Sequence, residues 1–441
     1  MKCRSFAGLS VLAALGLLFS GCSLDAGEEA PFIKVLIPST QTLIADGAYR
    51  NRKVTGVDLS AAGSLAVIGE YAFYYNFLER IDIPASVTAI GACAFSQNRI
   101  AEIVSLGSVS SIEPYTFAHN RLTSVSLTGV AEIKDHAFAD NLLKEDPATP
   151  NILTIPASVT SIGNNAFAYN RLETVDLSAA GITTLASAVF AHNQLTSVTI
   201  PGSVTTIESY AFANNQLPSV AIPGGVTGIG DHAFINNQLT GITIPGGVTS
   251  IEPYAFANNA IAAITSFGGA AGIGDHAFAN NQLTGVSIPN TVTSIGIGAF
   301  ANNQLTGVTI SSGVTAIWDH TFADNRLGSV SIPSGVTAIG NYAFANNLLS
   351  SVTIPGGVTA IGLYAFINNQ LTGVAIPNTV TSIGIGAFAG NVITSITIGA
   401  NVTIADGTAF GTYGAAFKQF YELTKSKAAG TYTYSAGAWG P

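Results

Sequence analysis

The sequence feature that most constrains the fold is a repeat of 22 residues. Eleven phenylalanines, from Phe190 to Phe410, follow one another at this interval, and the earlier intervals are 21 to 29 residues. A fixed period of this length predicts a solenoid, in which each repeat forms one coil stacked on its neighbours. The phenylalanines of the repeat are Phe73, Phe95, Phe117, Phe138, Phe167, Phe190, Phe212, Phe234, Phe256, Phe278, Phe300, Phe322, Phe344, Phe366, Phe388 and Phe410.

One unit, Leu217 to Gln238, shows what a coil contains. Val220 and Ile222 alternate with Ser and Ala, and this period of two predicts a strand with one buried face. Ala233 and Phe234 predict a single tight helical or 3₁₀ turn. Because such a coil has only one apolar side, successive coils must stack to bury it. The phenylalanines would then form an inward-facing column.

An asparagine stands three residues after the phenylalanine in 15 of the 16 units, and Tyr413 replaces it in the last. A polar residue held in one register indicates that its amide satisfies backbone groups of the turn, which would otherwise be buried unpaired. We expect an asparagine ladder between coils. In the regular part of the array it comprises Asn215, Asn237, Asn259, Asn281, Asn303, Asn325, Asn347 and Asn369.

The unit LxxVxIPxxVTxIGxxAFxxN resembles the leucine-rich repeats of the BspA-like bacterial surface proteins, over about Arg52 to Phe410. The cysteine that this family usually has near the end of each unit is absent, and asparagine stands in its neighbourhood. The resemblance implies a leucine-rich repeat solenoid, with parallel β-strands joined by short turns or 3₁₀ segments. We expect about 16 coils of 22 residues, capped at both ends.

Two units depart from the pattern of the strand. Before Phe117 and Phe278 the apolar residue moves along by one position, to Leu106 and Phe267. A one-residue shift of this kind predicts a local β-bulge in the stack of strands.

After Phe410 the composition becomes aromatic. Phe417, Phe420 and Tyr421 fit one face of a short helix, whereas Thr431 to Tyr434 alternates like a strand. Since open solenoid ends need covering, residues 411–441 are predicted to form a C-terminal cap. The alternative is a separate carbohydrate-binding module.

The N-terminus predicts export and lipid attachment. Lys2 and Arg4 precede an apolar run from Ser5 to Phe19, which is typical of a signal peptide. The sequence Phe19 to Cys22 resembles the bacterial lipobox, although an ordinary cleavage site with an incidental cysteine is the alternative. We therefore predict a lipoprotein signal peptide over 1–21, a lipidated tether and N-terminal cap over 22–51, the repeat array over 52–410, and the C-terminal cap. The predicted location is the bacterial cell envelope, lipid-anchored through Cys22, on the outer membrane and exposed at the surface.

Composition narrows the class of function. Only 9% of residues are charged and 48% are hydrophobic, which argues against disorder. The net charge is −9 and the basic residues are not clustered, so a nucleic-acid surface is not expected.

No pattern of catalytic residues stands out from the repeat. Gly228, Gly230 and Ala233 fit a dinucleotide fingerprint, but no long helix follows them to receive a pyrophosphate. Histidines of successive Asp-His pairs in the regular array lie two coils apart, about 9 to 10 Å, too far to share a metal. The pairs are Asp135-His136, Asp231-His232, Asp275-His276 and Asp319-His320. We expect no enzyme, no cofactor, no metal and no small-molecule substrate.

The position two before the phenylalanine carries amphipathic rings, a residue type enriched at protein interfaces. These rings are a candidate binding stripe, and the alternative is that they only cover the phenylalanine column. They are Tyr71, Tyr115, His136, Tyr210, His232, Tyr254, His276, His320, Tyr342 and Tyr364. Cys93 belongs to the same row.

The predicted partners are proteins. The BspA-like resemblance implies an adhesin that contacts host matrix proteins or other bacteria, with an extended repeated face whose weak contacts add through multivalency. A periplasmic lipoprotein scaffold that organises envelope proteins is the alternative.

Overall fold

A computed structural model describes residues 33–144 and 152–441 of the chain. The predicted signal peptide and residues 22–32 of the predicted tether and cap, which include Cys22, lie outside these residues. The chain forms two compact units, divided between Leu143 and Lys144. Within the described ranges no helix is long and apolar enough to cross a membrane.

In the first unit each regular coil contributes a longer strand and a two-residue strand. Strands of the same kind pair in parallel: β1 with β3, β5 with β7, β2 with β4 and β6, and β8 with β9. The strands are β1 Ile33–Leu36, β2 Leu43–Ile44, β3 Val54–Asp58, β4 Val67–Ile68, β5 Arg80–Ile83, β6 Ala89–Ile90, β7 Glu102–Leu106, β8 Ser111–Ile112 and β9 Glu132–Ile133.

The second unit continues this architecture. Its strands are β10 Ile152–Thr154, β11 Ser161–Ile162, β12 Thr174–Asp176, β13 Thr184–Leu185, β14 Ser197–Thr199, β15 Thr206–Ile207, β16 Gly228–Ile229, β17 Gly241–Ile244, β18 Ser250–Ile251, β19 Ala263–Phe267, β20 Gly272–Ile273, β21 Gly285–Ser287, β22 Ser294–Ile295, β23 Gly307–Thr309, β24 Ala316–Ile317, β25 Ala338–Ile339, β26 Ala360–Ile361, β27 Gly373–Ala375, β28 Ser382–Ile383, β29 Ser395–Ile398 and β30 Thr403–Ile404.

The two-residue strands stack in parallel with the period of the sequence. Ala338 pairs with Ala360, and Ala360 with Ser382, each one repeat further along the chain. The residue that follows in each strand is an isoleucine, and Ile339 and Ile361 are both 2% exposed. The prediction of a parallel β-solenoid with coils of about 22 residues is therefore confirmed.

One detail of the predicted coil is wrong. Val220 and Ile222 are half-buried but form no strand. Pro218 precedes them and has no backbone N–H, which removes a donor to the neighbouring coil. At Ala233 and Phe234 the chain makes the predicted tight turn: the N–H of Ala233 donates to the carbonyl of Gly230 at 3.2 Å, and that of Ile235 donates to the carbonyl of His232 at 3.1 Å.

The predicted bulges are confirmed. The register between β5 and β7 shifts after Ile81, and that between β17 and β19 shifts after Ile242. As a result Leu106 and Phe267 point into the core, with exposures of 8% and 5%.

The phenylalanines form a continuous buried column within each unit. In the first unit the column begins with the ring of Tyr49, and neighbouring ring centroids are 5.1 to 5.7 Å apart. From Phe167 to Phe410 in the second unit the centroids are 5.2 to 5.9 Å apart. These distances exceed the 4.8 Å strand spacing, as expected for rings that stack with a lateral offset.

Residues 411–441 close the end of the second unit. A 3₁₀ turn at Gly411–Tyr413, the helix α1 at Gly414–Gln419 and a π turn at Phe420–Thr424 precede the strands β31 Gly430–Ser435 and β32 Ala438–Gly440. β31 pairs antiparallel with β29, and Phe417 packs edge-on against Phe410 with centroids 5.1 Å apart. The last ring of the column is therefore covered.

Candidate functional site

The asparagine three residues after each phenylalanine joins its coil to the coil before it. The amide nitrogen of Asn281 donates to the carbonyl oxygens of Phe256 at 3.0 Å, Phe278 at 3.1 Å and Ala279 at 3.2 Å. Its side-chain oxygen accepts from the backbone N–H of Ile261 at 3.0 Å. One side chain thus satisfies groups on two coils.

The same bonds recur along the second unit. We call these asparagines the inner ladder: Asn215, Asn237, Asn259, Asn281, Asn303, Asn325, Asn347 and Asn369. Each side-chain amide donates to the carbonyl oxygen of the phenylalanine in the preceding coil, at 2.9 to 3.0 Å. All are buried except Asn259, which is half-buried. The asparagines therefore have a structural role inside the array.

A second, exposed ladder lies beside the first. Its members stand two residues after the phenylalanine and are left-handed, with φ near +55°. The amide of Asn236 donates to Asn214, that of Asn258 to Asn236, and that of Asn280 to Asn258, each at 2.7 Å. Sequence reasoning missed this outer ladder, although the repeated Asn-Asn dipeptide marks it and asparagine is among the residues that tolerate this conformation.

The ten predicted stripe residues share an uncommon backbone conformation. All of them, which we call the ring stripe, are left-handed, with φ from +54° to +61°. This region is rare for bulky residues, costs on the order of 1 to 3 kcal/mol, and persists only where the surroundings impose it. Glycine takes the same position at Gly298 and Gly386, with φ of +58° and +60°. Glycine would therefore be the relaxed choice throughout.

Rings of the stripe stack on one another along the array. Tyr254 lies between His232, at 4.6 Å, and His276, at 4.8 Å, between ring centroids. Where the row has a glycine, the preceding ring fills the space, so that a Cβ added to Gly298 would collide with the ring of His276. The ring faces between stacked neighbours are therefore covered, and Nδ1 of His136 and of His232 is buried as well.

The environment shifts the ionisation of several of these groups. Burial lowers the pKa of His136 and of His276, and burial raises the pKa of Tyr210. Nδ1 of His232 lies 2.7 Å from a carboxylate oxygen of its neighbour Asp231, an ion-pair distance, but the two atoms do not have hydrogen-bond geometry. Burial thus favours the uncharged rings of His136 and His276.

A shallow groove of about 230 Å³ lies where strands β15, β16 and β18 run side by side, bordered by Glu208, Ser209, Gly230 and Glu252. In the parts of the chain that the structure describes, no three His, Cys, Asp or Glu side chains are grouped so that they could hold a metal ion.

Solved structures of bacterial leucine-rich repeat proteins are similar to the chain. A leucine-rich repeat protein from Bacteroides ovatus is 21% identical. The match covers 85% of this chain and 83% of that protein's chain, with a TM-score of 0.47. A leucine-rich cell surface protein from Faecalibacterium prausnitzii is 22% identical over 74% of this chain and 83% of its own, with a TM-score of 0.35. The functional domain of InlJ from Listeria monocytogenes, which includes a cysteine ladder, is 12% identical. The match covers 72% of this chain and 62% of that domain, with a TM-score of 0.38.

No curated protein matches the chain. The family model of the BspA-type leucine-rich repeat region matches residues 28–144, 149–263 and 271–392, with six copies. These segments span most of the array, and solenoids of this kind generally serve as scaffolds for protein interaction rather than as enzymes. The chain therefore belongs to the BspA-type leucine-rich repeat family.

Proposed function

We propose that the protein is a lipid-anchored cell-surface adhesin that contacts host matrix proteins or other bacteria through the ring stripe. Its family supports a protein-binding role. The stripe supports the choice of surface, and the lipobox-like sequence that ends at Cys22 supports the anchor.

One observation carries the choice of surface. Two rows of the array are left-handed, and from Asn214 to Gly390 the outer ladder uses Asn, Asp or Gly, which adopt this conformation at low cost. The ring stripe instead uses Tyr and His at the same backbone angles. Strained residues that persist against an available relaxed alternative point to a function, and exposed tyrosine is a residue type that anchors protein interfaces.

Stacking suits the rings to binding. A ring held between two others has already lost its rotational freedom, so little further entropy is lost when a partner docks. Because Tyr or His occupies this position in most coils, an extended partner would make many weak contacts that add through effective concentration.

The binding surface is tested with variants of the stripe. Replacing Tyr210, Tyr254 and Tyr342 together by Gly should keep the fold and abolish binding to a panel of immobilised host matrix proteins and fixed bacterial cells. The matched control replaces Asn236, Asn258 and Asn280 of the outer ladder by Gly, which keeps φ and leaves the rings. Equal loss of binding in both variants would contradict the assignment to the rings.

The location is tested on whole cells. Protease added to intact cells should digest the array, with a periplasmic protein as the protected control. Full protection of the array would refute surface exposure and favour an envelope scaffold.

A further inference from the structure

Four large apolar side chains are exposed on one face of the second unit. They lie three or four residues before the phenylalanine of their coils, next to the ring stripe. We call them the apolar patch: Ile297, Trp318, Leu363 and Ile385, with exposures of 40%, 50%, 40% and 41%. Exposed apolar groups clustered in this way mark interaction sites on soluble proteins.

Backbone hydrogen bonds hold the patch in register with the rings. The N–H of His276 donates to the carbonyl of Ile297, that of Tyr342 to Leu363, and that of Tyr364 to Ile385, each from one coil to the next, at 2.7 to 2.9 Å. Ile297, Leu363 and Ile385 therefore form a row adjacent to the ring stripe, and Trp318 stands one residue before this row in its own coil.

Glycines make this surface flat around Trp318. Gly340 occupies the position of Trp318 in the next coil, and Gly362 follows in the coil after that. A Cβ at Gly340 would come within 2.6 Å of the Trp318 backbone, and one at Gly362 within 2.5 Å of Gly340. The indole thus stands beside a row without side chains, where an incoming chain can lie against it.

The charge around the patch has one sign. Between Arg171 and Lys418 the only lysine or arginine is Arg326. The acidic residues of the same stretch are Glu173, Asp176, Glu208, Asp231, Glu252, Asp275, Asp319, Asp324 and Asp406. Asp275 and Asp319 lie in the patch's own row, in the coils on either side of Ile297, where they accept the backbone N–H groups of Ile297 and Asn341 at 2.7 Å.

We propose that the apolar patch docks a polypeptide segment that is both apolar and cationic. The inference rests on the proposed protein-binding function and names the chemistry of the partner. Apolar side chains of the partner would cover Trp318 and its neighbours, while Lys or Arg would reach Asp275 and Asp319. A second copy of this chain is a poor occupant, since its corresponding face is equally acidic and like charges repel.

The experiment uses the fluorescence of Trp318. The chain has two tryptophans, and Trp439 is only 7% exposed. The probes are three synthetic peptides of equal length: alternating Leu and Lys, alternating Leu and Glu, and alternating Ser and Lys. The Leu-Lys peptide should bind with a blue shift of the emission and weaken as salt is raised, whereas the other two should not shift it.

Matched variants separate the patch from general stickiness. Replacing Leu363 and Ile385 by Ser should weaken binding of the Leu-Lys peptide roughly tenfold or more, because central apolar contacts dominate interfaces. Replacing Leu348 and Val392 by Ser, which are 46% and 60% exposed outside the patch, should leave it unchanged. Equal binding of the Leu-Glu peptide, equal loss in both variants, or patch-dependent dimerisation in sedimentation would overturn the proposal. Adhesion that depends on the rings would then still stand.

Discussion

The side-chain amide of Asn281 donates to the carbonyl oxygen of Phe256, one coil earlier, at 3.0 Å. The column of rings and the ladder of amides are therefore coupled. Each inner asparagine binds the backbone of the phenylalanine in the preceding coil, and the ring of that same phenylalanine stacks on the phenylalanine of the asparagine's own coil. Apolar burial supplies the attraction between coils, and the amides fix their register.

Replacing Asn281 by Ala should lower the free energy of unfolding by about 1 to 3 kcal/mol, since it leaves buried carbonyl and N–H groups without partners. Urea unfolding followed by circular dichroism measures the loss. Asn280→Gly is the matched control, because it keeps the left-handed backbone and removes only an exposed hydrogen bond between the side chains of Asn280 and Asn258. A loss in the control as large as that in Asn281→Ala would contradict a special role for the inner ladder.

Replacing Tyr254 by Gly should change stability by less than about 1 kcal/mol. The variant loses two ring stacks, worth about 0.5 to 1.5 kcal/mol each, but it relieves the left-handed strain of the tyrosine. Binding to the adhesion partner should fall nonetheless, whereas Tyr254→His should keep both stacks. Unfolding of the glycine variant would show that the rings mainly protect the core.

His192 should make stability depend on pH. Its ring stacks on Tyr169 at 4.3 Å, its Nε2 lies 3.2 Å from the amide nitrogen of Asn214, and burial lowers its pKa. The folded protein therefore prefers the neutral ring, and the unfolded chain binds the proton more readily. The contribution is complete above about pH 6.5 and is lost as the pH falls below that value toward the lowered pKa.

Urea midpoints at pH 7.5 and 5 measure this effect. His192→Asn, which places at this position the residue that most later coils have, should reduce the difference between the two midpoints. An unchanged difference would mean that other groups cause the pH dependence.

Replacing Phe417 by Ala should destabilise the C-terminal coils by about 3 to 5 kcal/mol, because the ring is fully buried against Phe410. Light scattering should also increase as the end of the solenoid opens. Leu423→Ala, at a residue that is 74% exposed, is the control and should change neither measurement.

Replacing Cys22 by Ser should move the protein from the detergent phase to the aqueous phase in a detergent-partition experiment. Acyl chains attached through a thioether at the Cys22 sulfur are expected to anchor the native chain. A serine hydroxyl cannot form this thioether. Cys93→Ala removes the other cysteine outside the predicted signal peptide, which is buried in the array, and should stay in the detergent phase. Continued detergent partitioning of Cys22→Ser would refute lipidation.

Much of the fold could be predicted because the repeat enforces it. Phe278 and Asn281 recur at fixed places, and a residue that returns once per coil must meet its copies in the stack. The bulge at Phe267 was visible for the same reason, since a one-residue slip stands out against a constant period.

The rest depended on backbone angles that residue type does not reveal. Nothing about Tyr254 or His276 suggests a left-handed conformation, which tertiary hydrogen bonds impose on them. The residues around Val220 form no strand although their alternation predicts one, and the apolar patch became visible only when the coils brought Trp318 and Leu363 onto one face.

Each coil makes equivalent hydrogen bonds and ring contacts with the coil before it, and this equivalence has a genetic consequence. Removing residues 282–303 would join Asn281 to Gln304, and this junction reads the same as Asn281 followed by Gln282. Unequal recombination between such copies can therefore lengthen or shorten the protein by whole periods while each surviving interlayer bond keeps an equivalent partner. Natural variants should differ in the number of layers and retain the design of each layer.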